Sequence, residues 1–275
     1  MTYDDAYKNI KIEASSIKIG DHVSFGKNIS ISISGDLKIG SYSQLGNDVN
    51  IRGNNVTIGQ HLYHSFGLRV GGGGSQNPTA NLTIGDRCTI HNNFINIAQP
   101  VEIGDDVGLS EDVTLMTHGY WLSVLEGFPA KFAGIKIGNG VIIGYRSLIL
   151  PGVEIAPKIV VGAQSVVTRD LAWGSSVYAG SPAKRIRGIL IPNREQKIDK
   201  LEEIIAGYTH IARYHGIKSY ICISYPLIYF RCFVINVETF EYSGTEDEET
   251  DDFRDYMRRW GIRIYTERPF KSKSI

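Results

Sequence analysis

The fold is decided by the segment Ile135-Lys-Ile-Gly-Asn-Gly-Val-Ile-Ile-Gly-Tyr-Arg-Ser-Leu-Ile-Leu-Pro-Gly-Val-Glu-Ile155. An aliphatic residue occupies every sixth position, and the interval continues beyond the segment. The positions concerned are Ile137, Ile143, Ile149, Ile155, Val161 and Val167. A helix repeats its apolar face every 3.6 residues and a strand every two, so an interval of six indicates neither element alone.

A second pattern extends the first toward the N-terminus, a tetrapeptide of the form aliphatic-X-Ile-Gly. Its copies begin at Ile17, Leu37, Val56, Leu82, Val101 and Ile135, and a degraded copy begins at Val153. The intervals between them are 20, 19, 26, 19, 34 and 18 residues, which indicates an 18-residue unit with a few insertions. Three short strands joined by tight turns account for one such unit. Stacked units predict a β-solenoid with three parallel sheets and an aliphatic interior.

Composition excludes several classes of protein. The 275 residues carry 29 Lys and Arg against 29 Asp and Glu, so no general affinity for nucleic acid or anionic membranes is expected. No apolar run is long enough for an integral membrane segment, and the N-terminus lacks the pattern of a signal peptide. Three cysteines are too few for a disulfide framework. These features together predict a cytoplasmic protein.

Two large departures from the 18-residue interval predict loops that leave the solenoid. The first, at residues 60–81, includes four consecutive glycines, Gly71 to Gly74, which we expect to form a flexible connection rather than a strand. The second, at residues 119–134, follows His118 and is rich in aromatic residues. A loop with so much aromatic surface is expected to lie against a ligand or a neighbouring subunit.

The segments 142–155, 160–170 and 179–187 resemble the cofactor-binding stretch of the hexapeptide-repeat acyltransferases. The resemblance extends over about residues 15–190. It implies a left-handed parallel β-helix, a homotrimer with active sites between subunits, and acetyl-CoA as co-substrate without a metal. The expected fold class is therefore an all-β solenoid of 18-residue coils. Its catalytic domain would span residues 1–188, followed by a C-terminal α+β extension at 189–275.

The resemblance implies a catalytic role for His118, which stands where a coil gives way to the loop 119–134. Tyr145 follows 27 residues later, the same step as in related sugar O-acetyltransferases. An imidazole titrates near neutral pH, so it can take the proton of an acceptor hydroxyl as that hydroxyl attacks the thioester of acetyl-CoA. We therefore expect His118 to be the general base.

Two supporting groups are expected around this histidine. One ring nitrogen should be held by an oxygen, and the open candidates are Glu111, Asp112 and Glu126. The tetrahedral intermediate needs a hydrogen-bond donor for its oxyanion. By analogy with the family, we expect this donor to be a backbone N–H near Gly144.

The resemblance also implies the acetyl-CoA contacts. Carried over residue by residue, they are Gly144, Tyr145, Ala163, Thr168 and Arg169, with Lys184 and Arg187 near the nucleotide phosphates. Arg185 would add a further cation for those phosphates. Tyr145 replaces a small residue of the family, so we expect the path of the pantetheine arm to differ locally.

On the acceptor side, the segment His91-Asn-Asn-Phe-Ile-Asn96 resembles the Asn-containing turn that holds the sugar in relatives. The expected acceptor contacts are therefore His91, Asn92, Asn93 and Asn96, with Trp121 from the loop. The partnering Asp of those enzymes has no clean counterpart, and Asn96 stands nearest. Because an Asn-rich turn is also a common structural corner, both interpretations stay open.

The sequence thus predicts direct O-acetylation of a carbohydrate hydroxyl, in a cell-surface polysaccharide or its precursor. N-acetylation of an amino or nucleotide sugar is the alternative, and a covalent route through Cys88 is the rival mechanism. A γ-class carbonic anhydrase is more distant, because His61 and His64 stand three residues apart instead of the required five. A non-catalytic β-helix scaffold is the remaining class.

After residue 188 the six-residue interval stops. Asn193 with Gln196 predicts a capped helix start, residues 219–242 predict strands with Pro226 at a turn, and 245–248 predicts a second capping box. Residues 262–265 predict a short strand. This extension could cover the end of the solenoid, extend a trimer contact or hold a long acceptor, and the sequence does not decide between these roles.

Overall fold

The computed structural model describes residues 1–218 and 220–273. Ser219, at the start of the predicted 219–242 region, and the last two residues of the predicted extension lie outside the described residues. The chain divides into two compact units, Met1–Ile189 and Leu190–Ile275. The first unit is a β-solenoid, and this confirms the parallel β-helix predicted from the interval of six.

Every strand of the solenoid is short, because the chain turns a corner after each side of a coil. The strands up to the fourth coil are β1 (Thr2–Asp5), β2 (Ile10–Glu13), β3 (Ser16–Ile19), β4 (Ser24–Phe25), β5 (Ile29–Ile33), β6 (Asp36–Ile39), β7 (Gln44–Asn47), β8 (Val49–Gly53), β9 (Asn55–Ile58), β10 (Tyr63–Phe66), β11 (Arg69–Gly71), β12 (Asn81–Ile84), β13 (Thr89–Ile90) and β14 (Phe94–Asn96). The later strands are β15 (Val101–Ile103), β16 (Gly108–Leu109), β17 (Thr114–Leu115), β18 (His118–Gly119), β19 (Lys131–Phe132), β20 (Ile135–Ile137), β21 (Ile142–Ile143), β22 (Leu148–Ile149), β23 (Glu154–Ile155), β24 (Ile159–Val161), β25 (Val166–Val167), β26 (Ser176–Ala179) and β27 (Lys184–Gly188). A 3-10 helix, Val124–Glu126, lies between β18 and β19.

Three sheets form the sides of the solenoid. Sheet A has the order β1-β2-β5-β8-β11-β14-β17-β22-β25, sheet B has β3-β6-β9-β12-β15-β20-β23, and sheet C has β4-β7-β10-β13-β16-β21-β24-β26-β27. Each coil runs through B, C and A in turn, so the prism has a B/C, a C/A and an A/B corner. The repeated tetrapeptides are the strands of sheet B, where Ile17 pairs with Leu37 and Leu37 with Val56.

The interior is filled by the residues of the six-residue series. Ile143, Ile149 and Val167 are fully buried, and each pairs in register with its neighbours along a sheet. Small side chains such as Cys88 and Ser165 fill the corners. The stacked aliphatic residues therefore form one continuous core.

The predicted loop at 60–81 is corrected by the structure. Strands β10 and β11 lie within it, and Gly71 is a buried strand residue opposite Asn96. The inserted residues are confined to 72–80, because the coil completes its sheet C and sheet A strands first. An interval counted between tetrapeptides cannot locate an insertion within a coil. The second break contains a hairpin, in which β18 and β19 pair antiparallel.

The second unit contains α1 (Arg194–Tyr214), a four-stranded antiparallel sheet and α2 (Glu248–Arg258). The strands are β28 (Ile221–Ser224), β29 (Leu227–Phe230), β30 (Phe233–Asn236) and β31 (Tyr242–Gly244). The predicted Asn193–Gln196 capping box is confirmed. No helix among the described residues is long and apolar enough to cross a membrane.

Two predictions for this unit are wrong. The cap of α2 is Asp247 rather than Thr245, because the N–H of Thr245 is bound by the carbonyl of Cys232. Residues 262–265 form no strand. The carbonyl of Ile264 instead accepts a hydrogen bond from the buried guanidinium of Arg254, at 3.1 Å.

Candidate functional site

Three neighbouring coils bring their A/B corners together around His118. Strands β11, β14 and β17 are adjacent in sheet A. They end at Gly71, Asn96 and Leu115, and His118 follows β17 after two residues. The inserted residues 72–80 and the hairpin 118–132 both leave the solenoid at this corner. His118 therefore lies between two insertions from coils that are not consecutive.

The hairpin supplies one wall of the site. His118 is the first residue of β18 and pairs with Phe132 of β19. The two rings are stacked, with centroids 5.8 Å apart and planes 12° from parallel. Tyr120 lies 5.6 Å from the imidazole and is itself stacked on Phe132. The imidazole is partly exposed, so one edge of the ring remains accessible beside an aromatic surface.

Asn96 holds the other side of the imidazole. Its Oδ1 accepts hydrogen bonds from His118 Nδ1 at 2.8 Å and from Thr117 Oγ1 at 2.6 Å. Its Nδ2 donates to the carbonyls of Gly71, at 3.0 Å, and Gly73, at 3.4 Å. Because Nδ2 faces two carbonyl oxygens, the orientation of the amide is fixed and Oδ1 must be the acceptor. His118 Nδ1 therefore carries a proton, and Nε2 is the nitrogen that has the lone pair when the ring is neutral.

This arrangement corrects the expectation that an acid orients His118. Asp112 lies at the C/A corner and pairs with Arg146 at 3.2 Å, while Glu111 contributes its carbonyl to the N–H of Arg146. Glu126 belongs to the exposed 3-10 helix of the hairpin. The position of Asn96, one coil before His118 at the same corner, is the sequence signal that identifies the neutral partner. The carbonyls of Gly71 and Gly73 have no comparable signal.

The expected acetyl-CoA contacts divide between two corners. Gly144, Tyr145 and Ala163 lie at the C/A corner, where a Cβ on Gly144 would come within 2.6 Å of the backbone nitrogen of Ala163. Thr168 and Arg169 follow β25 at the A/B corner. Strand β25 lies two strands from β17 in sheet A, so about 10 Å separates these two strands. The width of sheet A separates the two groups within one chain.

The expected oxyanion donor, a backbone N–H near Gly144, is not the N–H of Gly144 itself. Its N–H donates to the carbonyl of Val161 at 2.8 Å, as part of the ladder that joins consecutive coils. The absence of a Cβ at this position is explained by the close approach of Ala163. Gly144 therefore has a structural role in this corner.

Three of the four predicted cations lie on one strand, and the fourth does not. Lys184, Arg185 and Arg187 lie on β27, the edge strand of sheet C, and all three are exposed. Arg185 donates from Nε to Ser176 Oγ at 3.0 Å and lies 5.8 Å from the ring of Trp173. Arg169 lies apart from them at the A/B corner. One edge strand thus concentrates three positive charges.

Of the expected acceptor residues, only Asn96 lies beside His118, and its buried side chain is committed to the network described above. His91, Asn92 and Asn93 lie at the opposite end of β14, at the C/A corner. The Asn93 side chain is also buried and donates to the carbonyl of Ser110 at 2.7 Å. Within this chain these three residues are therefore separated from His118 by sheet A. Trp121 is 90% exposed on the hairpin.

The structure also locates the residues of two rival chemistries, the zinc site of a carbonic anhydrase and the covalent route through Cys88. His64 points into the solenoid core, His61 lies at the B/C corner stacked on Tyr42, and His118 lies at the A/B corner, so these histidines do not converge on one point. Among residues 1–218 and 220–273 there is no cluster of three potential metal ligands. Burial raises the pKa of the Cys88 thiol to about 12, which keeps it in the poorly nucleophilic protonated form.

No protein-family model matches the chain. The chain is 34% identical over 144 residues to galactoside O-acetyltransferase of Escherichia coli, which covers 50% of this chain and 63% of that protein. It is 40% identical over 125 residues to protein CapG of Staphylococcus aureus, covering 44% of this chain and 68% of CapG. Among solved structures, a hexapeptide-repeat containing acetyltransferase from Vibrio cholerae is 25% identical, with a TM-score of 0.42, over 49% of this chain and 74% of that one. The chain therefore spans less than two thirds of the galactoside O-acetyltransferase.

Proposed function

Because the chain belongs to the hexapeptide-repeat acetyltransferase family, we propose that it transfers the acetyl group of acetyl-CoA to a hydroxyl of a carbohydrate. The acceptor would be a cell-surface polysaccharide or its precursor. The observation that carries this proposal is the pair of His118 and Asn96, in which Nδ1 is protonated and held at 2.8 Å. A histidine in this state has one basic nitrogen, Nε2, at an accessible edge of the solenoid.

The proposed step is a direct transfer. The acceptor oxygen bonds to the thioester carbonyl carbon as its proton moves to His118 Nε2. The carbon–sulfur bond then breaks, and the CoA thiolate takes the proton from the imidazolium. The Asn96 amide stabilises the imidazolium through Nδ1 without holding a charge of its own. General base catalysis of this kind contributes ~10²–10⁴ to the rate.

The donor side is supported by the C/A corner and by β27. The exposed residues Tyr145 and Ala163 lie on consecutive coils, so an extended pantetheine arm can pass along the coil turns. Lys184, Arg185 and Arg187 offer charges opposite to those of the CoA phosphates. Acetyl-CoA is therefore the proposed co-substrate.

A site that uses both corners needs more than one protomer. His118 and the C/A corner lie at opposite ends of the strands of sheet A, so they cannot meet in one chain. The hairpin beyond His118 carries exposed apolar residues, which is typical of a protein–protein contact. We therefore propose a homotrimer in which the A/B corner of one protomer faces the C/A corner of the next.

The test is a thiol-release assay with acetyl-CoA and a panel of oligosaccharides, combined with mass spectrometry of the products. We expect His118→Ala to lower kcat by at least ~10² with an unchanged melting temperature. His22→Ala is the matched control, because His22 lies exposed at the B/C corner. A His118→Ala protein with wild-type kinetics, or a wild-type protein that acetylates no hydroxyl, would contradict the proposal. Products acetylated on nitrogen would favour the N-acetyltransferase alternative.

A further inference from the structure

The four glycines at residues 71–74, here called the glycine strap, cover the corner next to His118. Asn96 Nδ2 donates to two carbonyls of the strap, so the strap is tied to the same amide that holds the imidazole. Gly74 lies against the next coil, where a Cβ would come within 2.8 Å of the Ala98 side chain. The strap is therefore packed against the site and is not the flexible connection expected from its composition.

The backbone conformation explains why three of the four residues are glycine. Gly71, Gly72 and Gly74 have φ values of +126°, +90° and +83°, a region that residues with a side chain rarely adopt. A Cβ on Gly72 would also come within 2.9 Å of Asn96 Nδ2. Folding of the strap therefore requires glycine at these three positions.

Gly73 is different, because the fold does not require glycine there. Its φ lies outside the left-handed region. A Cβ at this position would meet only the imidazole, at 3.5 Å from His118 Nε2 and 3.6 Å from Cε1, which is ordinary van der Waals contact. Alanine could therefore be accommodated by the protein alone, and the added methyl group would stand beside the basic nitrogen.

We propose that Gly73 is a specificity-determining residue, whose missing side chain leaves room beside Nε2 for the carbon that carries the acceptor hydroxyl. This inference rests on the proposed function. The hydroxyl oxygen must approach Nε2 to about 2.6–3.2 Å for proton transfer. A methyl group 3.5 Å from the same nitrogen would compete for that space. The substrate hydroxyl is attached to a bulky sugar ring, whereas a water molecule is small. The methyl group would therefore hinder the approach of the sugar hydroxyl to Nε2 more than the approach of water.

Two different surfaces border the imidazole at this acceptor position. The glycine strap forms one of them and offers backbone only. The rings of Tyr120 and Phe132 form the other, and they offer an apolar face to the C–H groups of a sugar ring. This combination of surfaces suits a hydroxyl on a ring carbon of a carbohydrate.

The experiment compares wild type, Gly73→Ala and Ser75→Ala. Ser75 belongs to the same insertion, and its backbone N–H, which donates to the Gly72 carbonyl, is kept in the control. Transfer to an oligosaccharide is measured beside acetyl-CoA hydrolysis, in which water is the acceptor. We expect Gly73→Ala to lower kcat/KM for transfer by at least ~10-fold and to lower the ratio of transfer to hydrolysis, whereas Ser75→Ala keeps the wild-type ratio.

A second measurement does not depend on the transfer reaction. Diethyl pyrocarbonate modifies the imidazole of accessible histidines, and peptide mass mapping gives the rate at His118. We expect Gly73→Ala to slow this modification and Ser75→Ala to leave it unchanged. Equal modification rates and equal transfer-to-hydrolysis ratios in the three proteins would overturn the role of Gly73. A wild-type protein that transfers no acetyl group would overturn the proposed function and with it the acceptor role, while the modification rates would still report whether Gly73 controls access to Nε2.

Discussion

Coil 3 (strands β9–β11) and coil 5 (strands β15–β17), with coil 4 (strands β12–β14) between them, each carry an insertion at the A/B corner, and the two insertions differ in composition. The insertion of coil 3, residues 72–80, is rich in glycine and folds back on coil 4, where Thr79 Oγ1 donates to the carbonyl of Ala98 at 3.0 Å. The insertion of coil 5 is a hairpin that leaves the solenoid. Its exposed apolar side chains are Tyr120, Trp121, Leu122, Val124, Leu125, Phe128 and Phe132.

This difference separates two tasks. The residues of coil 3 complete the surroundings of His118 within one protomer, through Asn96 and the carbonyls of Gly71 and Gly73. The hairpin of coil 5 carries an apolar surface that its own chain does not bury. One insertion therefore shapes the surroundings of His118 Nε2, the nitrogen proposed as the general base, and we infer that the other contacts a neighbouring protomer.

The largest effect is expected from the hairpin. Trp121 and Leu125 are 90% and 94% exposed, and in a subunit interface each would contribute ~2 kcal/mol or more. The double variant Trp121→Ser/Leu125→Ser should therefore weaken self-association by ~10³. Sedimentation velocity over a range of concentrations measures this change. Tyr7→Ser, at a position 92% exposed near the N-terminus, is the control that should leave the oligomer intact. If the double variant sediments as wild type does, the hairpin is not the interface.

The contribution of coil 3 to the surroundings of His118 depends on Asn96. We expect Asn96→Ala to lower kcat by ~10–100-fold, by analogy with the loss of partners that orient metal-ligating histidines. The control is Asn93→Ala, which removes an equally buried amide from the opposite end of β14. Both variants should lose stability, and only Asn96→Ala should lose turnover beyond that loss.

A conservative replacement sharpens this prediction. Asn96→Asp keeps an oxygen acceptor for His118 Nδ1 but places a negative charge beside the ring, which favours the imidazolium. The acidic limb of the pH–rate profile should therefore move to higher pH. A profile identical to that of wild type would contradict a negative charge beside the ring, and the turnover of Asn96→Ala would then decide whether Asn96 acts on His118.

The comparison also shows what the sequence could predict. The coils were predictable, because tetrapeptides such as Ile17–Gly20 mark every strand of sheet B and the six-residue series marks the interior. The location of the first insertion was not, since the spacing between repeats does not reveal at which corner extra residues leave. His118 could be found from its place at the second break. Its neutral partner Asn96 and the contact with Gly73 depend on how corners of different coils stack, and this information lies in three dimensions.

The interiors of coils 3 and 5 differ as well. Leu109 fills the inner position of the sheet C strand in coil 5, whereas His64 takes that position in coil 3, between Leu45 and Ile90. The N–H of Gly46 donates to His64 Nδ1 at 3.1 Å. Burial lowers the pKa of His64 to about 4. Protonation would place a charge in an aliphatic core and break the hydrogen bond from Gly46.

The smallest effect concerns acid stability and follows from this lowered pKa. Between pH 6.5 and about 4 the unfolded chain binds a proton at His64 that the folded chain does not. The free energy of unfolding should therefore fall as the pH falls from 6.5, by at most about 2 kcal/mol at pH 5 from this group. His64→Gln keeps an acceptor for the Gly46 N–H and cannot titrate, so its unfolding free energy, measured by urea denaturation, should fall less steeply over this range. His22→Gln, at an exposed position, should retain the wild-type slope. Equal slopes for wild type and His64→Gln would mean that the histidine inside coil 3 has no influence on acid stability.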